Sequence, residues 1–246
     1  MTKKAWLIFA LMCVAIIGGM IYLANSNKVV VDNVDVTKIQ TASAKNGNIG
    51  DHTYGNMNSK VIIVEYGDYQ CPGCASSASV VKESIEKYKD KIGFVFRNYP
   101  LYSAHPNAFA ASAAAEVIGR QGKYWEMHDK LYAEQSSWNQ LTGAARTDYF
   151  VTAANSIGAD GNKIRDQIED PAIKKKIDFD EALGKKAGVT GTPSFFIGTK
   201  DVGDVYYKGD AIVSKETEGA QLVWSSADSF EKFIIKPALK NAGISE

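Results

Sequence analysis

Cysteine is scarce in this sequence, and neither sign of charge is in excess. Three of the 246 residues are cysteine, and 28 Lys and Arg balance 28 Asp and Glu, so the formal net charge is zero. Three cysteines are too few to hold a disulfide scaffold together. A chain without excess positive charge also lacks the surface that neutralises phosphates in nucleic-acid-binding proteins. The remaining composition, 45% hydrophobic and 23% charged, is that of a folded protein with a full core.

Residues 5–24 form an apolar run without a charged side chain. A helix of this length spans roughly 30 Å, the thickness of the hydrocarbon core of a membrane. Because Lys3 and Lys4 precede the run, we expect the N-terminus on the cytoplasmic side and the rest outside. We therefore predict a transmembrane anchor over residues 1–24. The alternative is a cleaved signal peptide, since Ala24-Asn25-Ser26 resembles a cleavage site, and both interpretations place the folded part on the extracytoplasmic face, in the cell envelope.

The next segments alternate between polar sequence and short apolar runs. Residues 25–57 are dominated by Asn, Ser, Lys, Asp and Thr and are predicted to form a polar tether. Residues 61–66 are β-branched and apolar apart from one glutamate, which favours a buried strand. The sequence Cys71-Pro72-Gly73-Cys74 then opens a predicted helix, and residues 92–97 predict a second strand. The cysteine pair thus lies at the strand-to-helix junction of a βαβ unit.

Residues 101–187 carry helical patterns punctuated by glycine and proline, which predict an inserted helical domain. After Gly191-Thr192-Pro193, the expected segments are a strand, its hairpin partner and a helix, at residues 194–197, 202–209 and 226–242. We therefore predict an α/β domain formed by residues 58–100 and 188–246, interrupted by the helical insertion.

The spacing of the two cysteines favours redox chemistry. Cys71 is expected at the N-terminus of a helix, where unpaired backbone amides and the helix dipole stabilise a thiolate. Pro72 suits the first helical position because its missing N–H would be unpaired there. Cys74, one turn later, is expected to face the interior and to act as the second thiol of the pair. The alternatives are half of a zinc site and an inert structural disulfide. Against a zinc site, no other cysteine occurs in the exported part. Against a structural disulfide, a bridge across two residues constrains the unfolded chain little. No metal is predicted.

Two charged positions need separate explanations. Glu65 interrupts the predicted buried strand, and a buried carboxylate is unfavourable unless it is protonated, hydrated or paired. A glutamate at a strand end that reaches solvent or a lysine is the alternative. The run Lys174-Lys175-Lys176 is interpreted as a solvated helix face.

The main features of the sequence occur in the order found in one family. They are Glu65, the motif Cys71-Pro72-Gly73-Cys74, the helical insertion, and Gly191-Thr192-Pro193 before a Phe-rich strand. Over residues 58–242 the sequence resembles the DsbA-type thiol–disulfide oxidoreductases, most closely membrane-tethered bacterial members. The resemblance implies a thioredoxin fold with an inserted helical domain. It also implies Cys71 and Cys74 as the redox pair, with Pro72 and Gly73 completing the active-site motif.

The resemblance assigns further roles. Pro193 is implied to be a cis-proline facing the cysteines, with the Thr192 backbone binding extended substrates. Glu65 is implied to exchange protons with Cys74. No cofactor is implied; the implied partners are thiol-containing exported proteins and a membrane quinone-linked thiol oxidase that restores the disulfide.

The direction of electron flow is less determined by the sequence. DsbA-type proteins commonly carry Pro-His between the cysteines, whereas this chain carries Pro-Gly, and the dipeptide influences the stability of the thiolate. Export to an oxidising compartment favours an oxidase of protein thiols. An exported reductase or isomerase, and a non-redox binding module or chaperone on the same fold, are the alternatives.

Overall fold

The computed structural model describes residues 3–26 and 29–245, and these fall into two compact units, one ending at Val30 and the other starting at Val31. In the first unit, the apolar run forms helix α1 (Lys3–Ser26). No helix in the described ranges combines the length and apolar character needed to cross a membrane, so the predicted anchor is not confirmed. The few remaining positions of the predicted anchor, tether and C-terminal segment, residues 1, 2, 27, 28 and 246, lie outside the described residues.

The second unit is organised around a five-stranded sheet with strand order β1-β3-β2-β4-β5. The strands are β1 (His52–Gly55), β2 (Ile62–Gly67), β3 (Gly93–Asn98), β4 (Ser194–Ile197) and β5 (Lys200–Asp201). Strands β2 and β3 are parallel, as a βαβ unit requires, and β4 pairs antiparallel with β2. The apolar, β-branched β2 therefore lies at the centre of the sheet, buried on both faces.

Helix α2 (Pro72–Tyr88) connects the two parallel strands, and the predicted insertion consists of helices that pack on the same domain. An alanine-rich helix of the insertion is almost entirely buried, because small side chains allow its neighbours to approach closely. The inserted helices are α3 (Ala108–Gly119), α4 (Tyr124–Ala133), α5 (Gln135–Trp138), α6 (Gly143–Ser156), α7 (Asn162–Gln167) and α8 (Pro171–Ala187).

The region after β4 differs from the predicted hairpin over residues 202–209. The bonding to β4 ends at Val202, whose amide donates to the Phe195 carbonyl at 2.7 Å, and in the turn that follows the Asp201 carboxylate accepts a hydrogen bond from the Gly203 amide at 2.8 Å. A second, small sheet then forms with the order β7-β6-β8. Its strands are β6 (Tyr206–Lys208), β7 (Ala211–Val213) and β8 (Gln221–Leu222).

The predicted C-terminal helix is present in three consecutive parts. Ser226 caps its start by accepting a hydrogen bond from the Ser229 amide. The parts are α9 (Ala227–Phe230), a π-helical turn (Glu231–Ile235) and α10 (Lys236–Ala242), and short 3₁₀ turns occur at Ala44–Asn46 and Val223–Ser225.

Part of the segment predicted to be a tether belongs to the folded domain. β1 pairs antiparallel with β3, and the Asp51 carboxylate just before β1 bonds the Arg97 guanidinium at 2.8 Å, with both side chains fully buried. Arg97 also donates to the backbone carbonyls of Val36 and Lys38 at 2.8 and 2.7 Å. Some polar groups of the segment thus bond the domain instead of solvent.

The lysine run on α8 differs from its predicted exposure in the same region. Lys176 is fully buried and lies 2.6 Å from the Asp180 carboxylate and 3.5 Å from that of Asp51. The interpretation of this run as a solvated face is therefore wrong at Lys176, since a buried ammonium persists where carboxylates pair with it.

Candidate active site

The two active-site cysteines lie at the N-terminus of α2. Cys71 is the residue before the helix, in an extended conformation, and Pro72 occupies the first helical position. Both thiols are free, so the structure describes the dithiol form. The local sequence explains this geometry: Pro72 starts the helix without losing a hydrogen bond, and the amides of the first turn remain available to the preceding sulfur.

The two thiols have opposite ionisation behaviour. A hydrogen bond from the Cys74 side chain, with help from the backbone amides of Gly73 and Cys74, lowers the pKa of Cys71 to about 5 against the opposing effect of burial. Burial raises the pKa of Cys74 well above its ordinary value, and the neighbouring Cys71 sulfur adds to this effect. At neutral pH, Cys71 is therefore a thiolate and Cys74 a thiol, which is the division of labour needed for attack and resolution.

The loop before β4 faces these sulfurs. The Thr192–Pro193 peptide bond is cis, and the Cys71 sulfur lies 3.3 Å from the Thr192 carbonyl oxygen. A side chain at Gly73 would begin 3.4 Å from Pro193 Cδ and 3.6 Å from the Cys71 sulfur. The structure therefore brings Cys71, Gly73, Thr192 and Pro193 into one contact region, although they come from two distant parts of the chain.

Glu65 lies on the central strand β2 and is 2% exposed. Burial, followed by the charge of Cys71, raises its pKa to about 8. One carboxyl oxygen, Oε1, has no hydrogen-bond partner in the protein. The alternative of a solvent-reaching or lysine-paired glutamate does not describe this position; the side chain is a buried carboxylic acid that is protonated at neutral pH.

Asp68 holds the turn before the cysteines, and some of its partners are distant in the sequence. Its side chain is fully buried and accepts hydrogen bonds from the Gln70 and Leu101 amides and lies 2.8 Å from His105 Nδ1. Its backbone amide lies 3.5 Å from the Cys74 sulfur as a donor. Asp68 thus fixes the turn that places the cysteines, and the signal in the sequence, an aspartate three residues before Cys71, is also that of an ordinary turn.

The family model described as "Thioredoxin" matches residues 47–210. The chain therefore belongs to the thioredoxin family. Among curated relatives, the Na(+)/H(+) antiporter NhaA 1 of Salinispora arenicola is 35% identical over 147 residues, which are 60% of this chain and 21% of that protein. The corresponding protein of Mycolicibacterium vanbaalenii is 29% identical over 147 residues, 23% of its length. This chain thus spans about a fifth of the length of these relatives.

Solved structures share the fold. BdbD from Bacillus subtilis is 18% identical with a TM-score of 0.59 and covers 83% of this chain and 98% of its own. The α-DsbA1 protein of Wolbachia pipientis is 23% identical with a TM-score of 0.59, covering 78% and 92%. The thiol-disulfide exchange protein α-DsbA2 of Wolbachia pipientis is 28% identical with a TM-score of 0.50, covering 61% and 77%. These matches, with the family match, confirm the predicted resemblance to DsbA-type thiol–disulfide oxidoreductases.

Within the described part of the chain, no cluster of three or more His, Cys, Asp or Glu side chains could hold a metal ion. The site offers two sulfurs of unequal acidity, a buried acid and a loop in contact with the more acidic sulfur. This arrangement can exchange a dithiol for a disulfide.

Proposed function

We propose that this oxidoreductase introduces disulfides into exported proteins through the Cys71–Cys74 couple. The observation that carries the proposal is the unequal ionisation of the two thiols. Lowering the pKa of Cys71 to about 5 stabilises the reduced enzyme at neutral pH relative to a pair of ordinary thiols. A stabilised dithiol form makes the disulfide form a stronger oxidant.

The size of this effect follows from the titration. An ordinary thiol with a pKa near 9 is almost fully protonated at pH 7, whereas one with a pKa near 5 is almost fully ionised. The difference favours the reduced form by at most about 2.7 kcal/mol, or roughly 60 mV for a two-electron couple, and by less where solvent screens the sulfur. This shift is comparable to differences in potential between thioredoxin-like reductants and oxidants.

In the proposed reaction, a substrate thiolate attacks the Cys71 sulfur of the enzyme disulfide, and Cys74 leaves. Glu65, protonated at neutral pH, supplies the proton that the leaving Cys74 thiolate takes up. A second substrate thiolate then attacks the substrate sulfur of the mixed disulfide and releases Cys71 as a stable thiolate. The two electrons of the substrate dithiol end on Cys71 and Cys74, and the substrate gains one disulfide.

Substrate recognition in this proposal uses the backbone. An extended segment bound along the Thr192–Pro193 loop pairs with main-chain groups next to the Cys71 sulfur, a contact that does not depend on substrate side chains. The expected substrates are thus thiol-containing segments of many exported proteins in unfolded form. A quinone-linked membrane oxidase is the proposed partner that returns the enzyme to its disulfide form.

The proposed location is the extracytoplasmic face of the membrane. Its support is the lysine pair followed by an uncharged apolar run at residues 3–24, together with a chemistry that needs an oxidising compartment. Protease treatment of intact spheroplasts should degrade the folded domain, and carbonate extraction should show whether it is membrane-attached or released. Protection from the protease in intact spheroplasts, with degradation only after lysis, would refute the location.

The redox function is tested with purified protein and a peptide that carries two thiols. The oxidised wild type should convert the dithiol peptide to its disulfide, and Cys71→Ser should abolish this reaction. Cys13→Ser is the matched control, because it removes the cysteine of α1 and should leave the rate unchanged. Titration against glutathione should give a potential above the thioredoxin range of about −270 mV. A potential at or below that range would favour the reductase alternative, and an unreactive pair with retained protection of unfolded protein would favour the chaperone alternative.

A further inference from the structure

A cavity of about 180 Å³ lies beside the buried glutamate, between α2 and α4. Glu65 lies at its inner end, and its outer end is formed by exposed side chains that include Lys82 and Glu126. The cavity therefore extends from the buried Glu65 to solvent-exposed side chains, and Thr192 and Pro193 are not among the residues that line it. Since liquid water occupies roughly 30 Å³ per molecule, this volume holds several water molecules.

Two buried polar atoms of the cavity wall lack a partner in the protein. They are Oε1 of Glu65 and Nε2 of His128, and both residues line the cavity. His128 is 7% exposed and Glu65 is 2% exposed. Ordered water is the usual partner of buried polar atoms that the protein leaves unpaired.

The other ring nitrogen of His128 has a defined role. Its Nδ1 lies 3.1 Å from the Asp129 carboxylate, and Lys82 Nζ lies 2.5 Å from the other oxygen of that carboxylate. Although burial opposes ionisation, the hydrogen bonds from His128 and Lys82 hold the pKa of Asp129 below its ordinary value. A carboxylate only accepts hydrogen bonds, so Nδ1 carries the proton and Nε2 keeps a lone pair.

The surroundings of His128 leave it as a proton carrier. Burial lowers the pKa of His128 despite Asp129, so the ring is neutral at pH 7. The tyrosines near it have pKa values raised well above the ordinary value by burial and do not ionise at neutral pH. The titratable and charged groups facing the ring are Asp129, Tyr124 and Tyr132 of α4, Lys82 of α2, His52 of β1, Tyr69 of the active-site turn and Glu65 of β2.

We propose that the Asp129–His128 pair and the cavity waters form the path by which Glu65 exchanges protons with solvent during the redox cycle. The proposal rests on the proposed function. When Cys74 leaves the disulfide, it takes the proton of Glu65. Nε2 of the neutral His128 ring takes a proton from waters at the outer end, which gives an imidazolium that Asp129 stabilises, and passes it through a cavity water to the Glu65 carboxylate.

The proton balance of one turnover makes the path measurable. At pH 7 a dithiol peptide loses two protons to solvent as its disulfide forms, and the protein regains one at Glu65 after giving one to Cys74. One proton per turnover is therefore released in total. If the path is blocked, two protons appear first and one is taken up later, so an indicator dye should record a release followed by a delayed uptake while tryptophan fluorescence follows disulfide reduction.

The test compares the oxidised wild type with His128→Phe, which preserves ring packing, and His128→Gln, which still bonds water but carries no proton. Both variants should slow the uptake by about tenfold or more, with an unchanged potential. Imidazole should restore fast uptake to His128→Ala, since the cavity is open to solvent. In Glu65→Gln the Cys74 thiolate must take its proton from solvent instead, so the uptake phase should remain and be slow.

The control uses two aspartates that each form an ion pair on an inserted helix. Asp129→Asn should slow the uptake, whereas Asp148→Asn, which breaks a pair with Arg165 at 2.6 Å, should not. Wild-type uptake rates in both His128→Phe and His128→Gln would overturn the path and leave the redox function intact. A wild-type protein that forms no peptide disulfide would instead overturn the proposed function.

Discussion

The side chain of Cys74 is the largest cause of the lowered pKa of Cys71, so its replacement is the sharpest perturbation of the site. Cys74→Ala removes the donor, whereas Cys74→Ser retains a hydroxyl that can donate to the Cys71 sulfur. A hydrogen bond to a charged group contributes about 1.5–3 kcal/mol. Its loss should therefore raise the pKa of Cys71 from about 5 to between about 6 and 7.

The assay is the rate at which iodoacetamide alkylates Cys71 between pH 4 and 9, measured in a Cys13→Ser background. Only the thiolate reacts, so the rate follows the ionised fraction. At pH 5, half of Cys71 is ionised in the wild type and in Cys74→Ser, where a thiol or a hydroxyl at position 74 donates. In Cys74→Ala roughly 1–9% is ionised, so its alkylation should be about 5- to 50-fold slower. At pH 9 the rates should converge, because Cys71 is ionised in every variant.

Two results would refute this reasoning. Identical profiles for Cys74→Ala and Cys74→Ser would show that the donor is not the Cys74 side chain. A wild-type midpoint near the ordinary cysteine value would show that the helix N-terminus does not stabilise a thiolate, and the basis for the oxidant proposal would be lost.

Three further predictions concern stability and potential. Glu65→Gln should increase the free energy of unfolding at pH 7 by about 2–3 kcal/mol. The reason is that the pKa of Glu65 is higher in the folded than in the unfolded protein, so ionisation of this group destabilises the folded state increasingly from pH 4.5 to about 8. Equal urea midpoints of variant and wild type at pH 7 would contradict this. Asp51→Asn leaves the Arg97 charge buried and should lower urea stability by about 3–5 kcal/mol, and a loss below 1 kcal/mol would refute the role of the pair. Gly73→His should raise the potential measured against glutathione, with Gly73→Ala as the control that fits beside Pro193; a lower potential would contradict stabilisation of the thiolate by the imidazole.

The parts of the fold governed by local chemistry were predictable from the sequence. The β-branched run of β2, the proline at the start of α2 and the Ser226 cap each determine structure within a few residues, and the corresponding elements are found within one or two residues of their predicted bounds. Glu65 was identifiable because a charge inside an apolar strand has no local partner that explains it.

The parts that depend on distant partners were not predictable. Asp51 and Lys176 look like surface residues in a polar segment and a lysine run, and only their convergence with Arg97 and Asp180 accounts for their burial. His128 has the spacing of an ordinary packed helix face. Its position on a cavity shared with Glu65 requires α2, α4 and β2 to meet, which no local pattern encodes.

Strand β1 has a consequence for how partners approach the molecule. Strand β1 pairs along β3 and forms one edge of the sheet with only four residues, and β5 at the opposite edge has two. Exposed backbone edges attract extended polypeptides without regard to sequence. Short edges offer few backbone groups to an added strand, so under the proposed function an unfolded substrate is expected to pair at the loop beside the reactive sulfur rather than at the rim of the sheet.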